Sequence, residues 1–587
     1  MLVFVATLFV LSFSYHAVLI DRSLTDLQRC CSALFLSLIT VIYTPQFSSI
    51  IFATLNIWLL LAVSLAPPLF LFLMQRKSPS KAWIKTYFAA NLSLGRGFAR
   101  EVLQSWYLIA LAALSIIATG FVSWFLTNFS NFGWDGWAYH SSAMAWFSEH
   151  DRITGSMPLM SWITSYPKNI EFLTLWIKKL SGNDQFLEAG NLIVHLLVIP
   201  FAYGVGRFCN LNKHWAAAAS LIYFLTPEII SQSWSTNIDG AFSDSLVILL
   251  FLSFSWHSCK KDEQLFWSVL VGLGLGHAMQ SKGSGLHVTV ILGCFLLARA
   301  LVENDRHRLH TRLLIVVIFA ALSGTGWYFK NWHVYGNPLY PFKVALPGIS
   351  LVLFPGEDFD TQVVPTASGN YRDLSLFWLY LSHFAGISYQ PGWGAHFFFF
   401  SLPAMVLMIF RNRDLTWLVL FAVAYFAIVP FSFEARYSLV SCVAGTVAFA
   451  YLSQEILNTK GWQRALKVLS VLAVIISLIP ELYVLRHPNT VSDAEFVRRD
   501  GFKRFALIRE KPGVRVAIVN LGYRADNPYW YFYFGPRWEN RVEIFDPSQA
   551  GVYDYVVCDF ASTNCPSLPS HSLALVEKTV AVYRKHG

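Results

Sequence analysis

The sequence predicts a polytopic α-helical membrane protein that ends in a small extracytoplasmic α/β domain. Three observations carry that prediction. The 587 residues are 55% hydrophobic and 16% aromatic but only 13% charged, with 49 Phe and 21 Trp. A soluble chain runs near a quarter charged, so a water-soluble enzyme is excluded. So are disordered and fibrous chains, because that many apolar rings cannot be solvated. The deficit of charge is also uneven. From Leu485 to Gly587, 25 of 103 residues are charged, against 54 of the other 484. The last observation is a series of apolar runs, each long enough to cross about 30 Å of hydrocarbon.

These runs fall at 2–20, 50–74, 105–127, 187–206, 214–232, 240–257, 264–281, 285–301, 312–329, 394–410, 415–431, 437–454 and 465–484. A shorter run at 30–44 reads as a crossing or as an interfacial segment, so the expected number is 13 or 14. Met1–Val5 has no basic stretch, and no small-residue cleavage site follows, so a cleavable leader is not expected.

Orientation is read from Lys and Arg in the connections. Arg76, Lys77, Lys81, Lys85, Arg96 and Arg100 share one loop. Arg207 and Lys213, Lys260 and Lys261, Arg299 to Arg312, Arg411 and Arg413, and Lys460 to Lys467 mark the others. All can be cytoplasmic together. The loops 128–186 and 330–394 and the C-terminal domain then lie outside, provided Leu374–Tyr389 is interfacial. The division expected is an N-terminal addition (1–104), a membrane catalytic domain (105–484) and an exported domain (485–587). The net charge of +9 suits basic cytoplasmic loops against anionic lipid, and no basic stripe of the kind that tracks nucleic acid is present.

In the C-terminal domain Val514–Asn520, Val542–Phe545 and Tyr555–Cys558 read as strands, and Leu573–Val576 with Val580–Tyr583 as a hairpin. Cys558 and Cys565 fall where a disulfide persists; their spacing permits a bridge without establishing one.

The informative polar residues lie beside the outer membrane face. Asp135 sits in Trp134-Asp-Gly-Trp-Ala-Tyr139-His140. It reads either as a helix cap within an aromatic belt or as a general base in a partly dehydrated pocket. Tyr166-Pro167 precedes Lys168–Leu180, whose helical spacing predicts an amphipathic helix lying on the outer leaflet. Glu171 serves that helix's dipole or faces the site. Asp239, in Asn237-Ile-Asp, caps a span or lies level with Asp135. Lys282, in a tight outer turn, and Arg436, before a later span, either snorkel or hold an anionic headgroup; charges so placed are read as functional by default. There is no Walker A loop, GxSxG elbow, HExxH or CxxC pair. The cytoplasmic loops are too short for a nucleotide-sugar domain, so transfer chemistry would occur outside with a donor already carried by lipid.

These residues, in this order, resemble the GT-C superfamily of polyprenyl-phosphate-sugar-dependent glycosyltransferases, in particular bacterial aminoarabinose transferases and protein O-mannosyltransferases. The resemblance covers about 105–587. Beside the motifs above it rests on Lys282-Gly-Ser-Gly, Lys330-Asn331-Trp, Gly336-Asn-Pro-Leu-Tyr340-Pro-Phe and Ala435-Arg436-Tyr437. It implies a GT-C-like fold in the inner membrane of a bacterium, with the active site and C-terminal domain periplasmic. Asp135 would be the base that deprotonates the acceptor and Asp239 a second acid. Lys282 and Arg436 would hold the lipid phosphate, with Tyr139, His140, Tyr166, Asn331 and Tyr340 lining the substrate site. The partners implied are a polyprenyl-phosphate sugar donor, a glycan, lipid or protein acceptor, and membrane lipids, with no nucleic acid. The first loop holds a single Asp135 rather than an acidic pair, so no metal ligand is assigned and a divalent ion stays open. The rival classes are a flippase or transporter for a lipid-linked saccharide, and a scaffold that recruits partners through its exported domain.

Overall fold

The computed structural model describes residues 2–19, 23–74, 81–128, 130–131, 140–153, 161–182, 187–235, 237–302, 309–345, 352–356, 392–429, 435–455, 460–479, 490–491, 507–508, 511–519, 533, 539–559, 565–566, 568–577 and 580–586. The chain opens with helices α1 (Leu2–Val18), α2 (Asp26–Phe52), α3 (Ile57–Met74) and α4 (Lys81–Leu103). The ambiguous run 30–44 lies within α2, whose 27 residues are enough to cross a bilayer. The run 50–74 is not one segment. Residues 50–52 finish α2, Ala53 turns into the left-handed region at φ 50°, and α3 starts four residues later. Hydropathy does not see that break because Asn56 is the one strongly polar residue among Phe52, Ala53, Thr54, Leu55 and Ile57. Thr25 and Gln28 start α2 with a reciprocal capping box, worth about 1 kcal/mol.

Next come α5 (Trp106–Asn128), strand β1 (Ser130–Asn131), α6 (Ser142–His150), α7 (Ser161–Ser165) and α8 (Glu171–Ser181). The sequence places α8 on the lipid surface, and the structure corrects this. Phe172, Leu173, Leu175, Trp176 and Ile177 are all buried, and Trp176 meets Phe4 of α1 with ring centroids 6.4 Å apart. The reason is local. Pro45 in α2 has no N–H, so the Val41 carbonyl loses its helical donor. The Trp176 indole supplies one at 2.8 Å. An apolar helix face finds protein rather than lipid.

The central bundle is α9 (Ala189–Phe208), α10 (Lys213–Phe224), α11 (Pro227–Gln232), α12 (Asp239–Ser258), α13 (Gln264–Ser281), α14 (Gly285–Val302), α15 (Leu309–Gly324) and α16 (Gly326–Tyr335). The run 214–232 is broken where Pro227 opens α11 at its first turn. The α15–α16 pair is bent by 48°. Asn212 caps α10 by accepting from the Trp215 amide at 3.0 Å. After a π-helical turn (Phe397–Ser401) the bundle closes with α17 (Leu402–Met408), α18 (Arg413–Ile428), α19 (Val440–Glu455) and α20 (Lys460–Leu478). Among the described residues six helices are long and apolar enough to cross a membrane alone, or seven if α15 and α16 form one span. The thirteen or fourteen crossings read from the sequence therefore include shorter helices, such as the 16-residue α18 and α19. Leu374–Tyr389 lies outside the described residues.

Strands β2 (Val344–Ala345) and β3 (Val352–Phe354) pair antiparallel. Strand β4 (Thr490–Val491) pairs antiparallel with β1, Ser130 opposite Val491. The C-terminal sheet contains β5 (Arg515–Val519), β6 (Arg541–Ile544), β7 (Tyr555–Asp559), β8 (His571–Glu577) and β9 (Val580–Lys585), in the order β6-β5-β7-β9-β8. Strands β6, β5 and β7 run parallel, and β7-β9-β8 antiparallel. The alternation read in the sequence is physical. Val516 and Ile518 join the large apolar core shared with the helices, while Ala517 packs with Tyr553, Val556 and Leu568 on the opposite face. Cys558 and Cys565 form a disulfide.

Candidate active site

The site begins where helices end. Asp239 is the first residue of α12, and Lys282 follows the last residue of α13, its antiparallel neighbour. The turn between α13 and α14 is short, with the Gly285 amide donating to the Lys282 carbonyl at 2.9 Å. A Cβ on Gly285 would fall 1.8 Å from the Ala278 carbonyl oxygen, so the turn that presents Lys282 requires glycine. Arg436 lies in the 3-10 turn Ala435–Tyr437 just before α19.

Three distant segments thus deliver three charges to one place. The Lys282 ammonium donates to Asp239 Oδ1, and Arg436 Nε stands 3.9 Å from Asp239 Oδ2. Both cations also face one ring. Lys282 Nζ is 3.8 Å and the Arg436 guanidinium 4.7 Å from the Tyr437 centroid. Asp239 is 6% exposed. Among the described residues two cations thus meet on one largely buried carboxylate, a concentration of positive charge that suits an anion.

Beside it lies a second charged group. His140 Nδ1 is 2.7 Å and Lys168 Nζ 3.0 Å from Glu171 Oε1, all three side chains buried. Burial pushes the Glu171 carboxyl up, but the Lys168 ammonium and His140 outweigh it and hold it below the usual carboxylate range. The sequence reading proposed His140 and left Glu171 between two roles, but it missed Lys168. The available signal was Lys168 three residues before Glu171, placing both on one helical face.

The remaining described candidates pack against one another around Ser165 and the turn after α16. Asn331 donates to the Ser165 carbonyl at 2.8 Å and to the Tyr340 carbonyl at 3.3 Å. Tyr340 stacks on Tyr335 with centroids 4.0 Å apart, next to the cis Tyr340–Pro341 bond. Tyr166 meets Phe342 at 6.1 Å. Lys330 donates to the Thr164 carbonyl and covers Trp327, 4.5 Å from its centroid. Thus the turn after α16 folds back on the Ser165–Tyr166 segment. Asp135 and Tyr139 lie outside the described residues. Among the described residues no three His, Cys, Asp or Glu side chains gather as metal ligands would.

Residues 105–329 match the family model described as dolichyl-phosphate-mannose-protein mannosyltransferase. The fold is similar to the crystal structure of ArnT from Cupriavidus metallidurans bound to undecaprenyl phosphate, with TM-score 0.50 and 12% identity over 81% of this chain and 97% of that one. The apo state of the same ArnT gives 0.50 and 14% over the same shares. The apo Archaeoglobus fulgidus oligosaccharyltransferase gives 0.44 and 15%, over 78% and 70%, too low to argue from. Comparison with curated proteins finds no match. The matches show that residues 105–329 are similar to that mannosyltransferase family and that the multi-helical fold is similar to that of ArnT.

Proposed function

We propose that the chain transfers one sugar from a polyprenyl phosphate to an acceptor hydroxyl on the outer face of a bacterial inner membrane, with inversion at the anomeric carbon. The observation that carries this is the meeting of Lys282 and Arg436 on Asp239. In the reaction the acceptor oxygen bonds to the anomeric carbon as the bond to the phosphate oxygen breaks. The acceptor proton goes to Asp135, and the electron pair leaves with the phosphate. Charge therefore develops on the phosphate, where fixed cations lower the barrier most. Asp239 keeps the two cations in place while the donor is absent. The ArnT neighbour was crystallised with undecaprenyl phosphate, which supports a lipid-phosphate donor. The Cys558–Cys565 disulfide supports an exported C-terminal domain.

The test is Asp135→Asn in the purified full chain with a synthetic polyprenyl-phosphate sugar. Loss of a general base is expected to slow transfer by about 10²–10⁴ while donor binding persists. Near-normal transfer would end the assignment of Asp135.

A further inference from the structure

The first 104 residues precede the stretch that matches the family model, yet they touch the site-bearing segments directly. The outer half of α2 makes those contacts. Gln46, 8% exposed, donates its amide to Asn169 Oδ1. Asn169, fully buried next to Lys168, donates its backbone N–H to the Gln280 carbonyl at 2.8 Å. Its side-chain nitrogen lies 3.4 Å from His277 Nδ1. Gln280 donates to the Ser323 carbonyl, and Tyr43, one turn before Gln46 on α2, donates to the same oxygen at 2.7 Å. Two residues after Gln280 comes Lys282.

We propose that α2 is part of the scaffold of the donor site, and that Gln46 is a positioning residue which sets the Lys282 turn through Asn169. This rests on the reading of Lys282 as a phosphate-binding cation. Asn169 is the junction: one side chain and one backbone amide tie α2 to the last turn of α13. Gln46, Asn169, His277 and Gln280 are all buried, so they cannot readily exchange their partners for water. Without the Gln46 amide, the Asn169 oxygen loses its donor and the Lys168–Asn169 segment is free to rotate away from Gln280. The contact reaches the last turn of α13, which leads into Lys282, so it should act through that cation, on donor capture and on the charge of the departing phosphate.

The experiment compares wild type, Gln46→Met, Lys282→Ala and the double variant as full-length protein. Binding of a synthetic polyprenyl phosphate is measured alongside kcat and KM for its sugar-bearing form. Gln46→Met is expected to weaken binding and raise KM about tenfold, and to lower kcat as Lys282→Ala does but less, because the same cation meets the departing phosphate. The double variant should bind no more weakly than Lys282→Ala alone, because the two act through one group. Tyr43→Phe, a milder change, should move binding in the same direction, and serves if Gln46→Met does not fold. Unchanged binding in Gln46→Met or, where that does not fold, in Tyr43→Phe overturns the inference, as do losses that add fully to that of Lys282→Ala. If Lys282→Ala itself binds normally, the donor-site reading falls, and this inference with it.

Discussion

Lys282 lies over the ring of Tyr437, its ammonium 3.8 Å from the centroid, while the same ammonium donates to Asp239. The lysine is therefore held by a carboxylate on one side and a π-face on the other. An anion that competes for the ammonium finds it already oriented, so little ordering cost remains at binding.

Tyr437→Leu should remove the face on which Lys282 and Arg436 both rest. A desolvated cation–π contact is worth about 2 kcal/mol, so affinity for a polyprenyl phosphate should fall by roughly tenfold or more. Tyr437→Phe keeps the ring and should bind as wild type. Equilibrium binding to the detergent-solubilised chain reads both.

Glu171→Gln should act on stability before it acts on activity. It strips the buried Lys168 of a carboxylate 3.0 Å away, and breaking a buried ion pair from one side costs about 3–5 kcal/mol. Denaturant or thermal unfolding of the full chain measures the loss.

Glu149 makes docking of the C-terminal sheet depend on pH. It is on α6, and its Oε2 accepts from the Val542 amide of edge strand β6 at 3.4 Å. Burial pushes its carboxyl up to about 8, against weaker opposite pulls from that amide and from Arg541. The folded chain holds this proton more tightly than the unfolded one. The contribution is therefore complete below about 4.5 and disappears as pH rises through about 8. Hydrogen exchange at Val542 should accelerate across that window in wild type and vary less in Glu149→Gln.

Replacing Cys558 and Cys565 by Ser should loosen the sheet by about 2 kcal/mol, the low end of the range because the loop between them is short. Limited proteolysis of the full chain should then cut near residue 560 sooner, with the helical part unaffected.

Strands β5 and β7 are legible because they bury alternate residues on different faces, as Val516, Ala517 and Ile518 do and Tyr555, Val556 and Val557 repeat. That period survives in a bare sequence. Helix boundaries in the membrane part are less legible, since breaks at Ala53 and Pro227 leave apolarity unchanged. Asp239, Lys282 and Arg436 could be picked out one by one as charges at span ends, although only the folded bundle brings them together. The contacts of α2 could not be read at all. Gln46 and Asn169 are ordinary polar residues far apart in the chain, and their pairing comes from helix packing rather than any local pattern. Nor does any sequence signal mark Glu149 as an acceptor for a distant strand.

The short β1–β4 ladder and the Glu149–Val542 bond lie on either side of residues 132–139. The chain after residue 489 thus holds the stretch containing Asp135 from both sides, through β4 ahead of it and through β6 behind it. Clipping off that part would not discard a passive appendage. It would undo both anchors, and under the proposed function a protein ending before residue 490 is expected to lose transfer while still binding a polyprenyl phosphate.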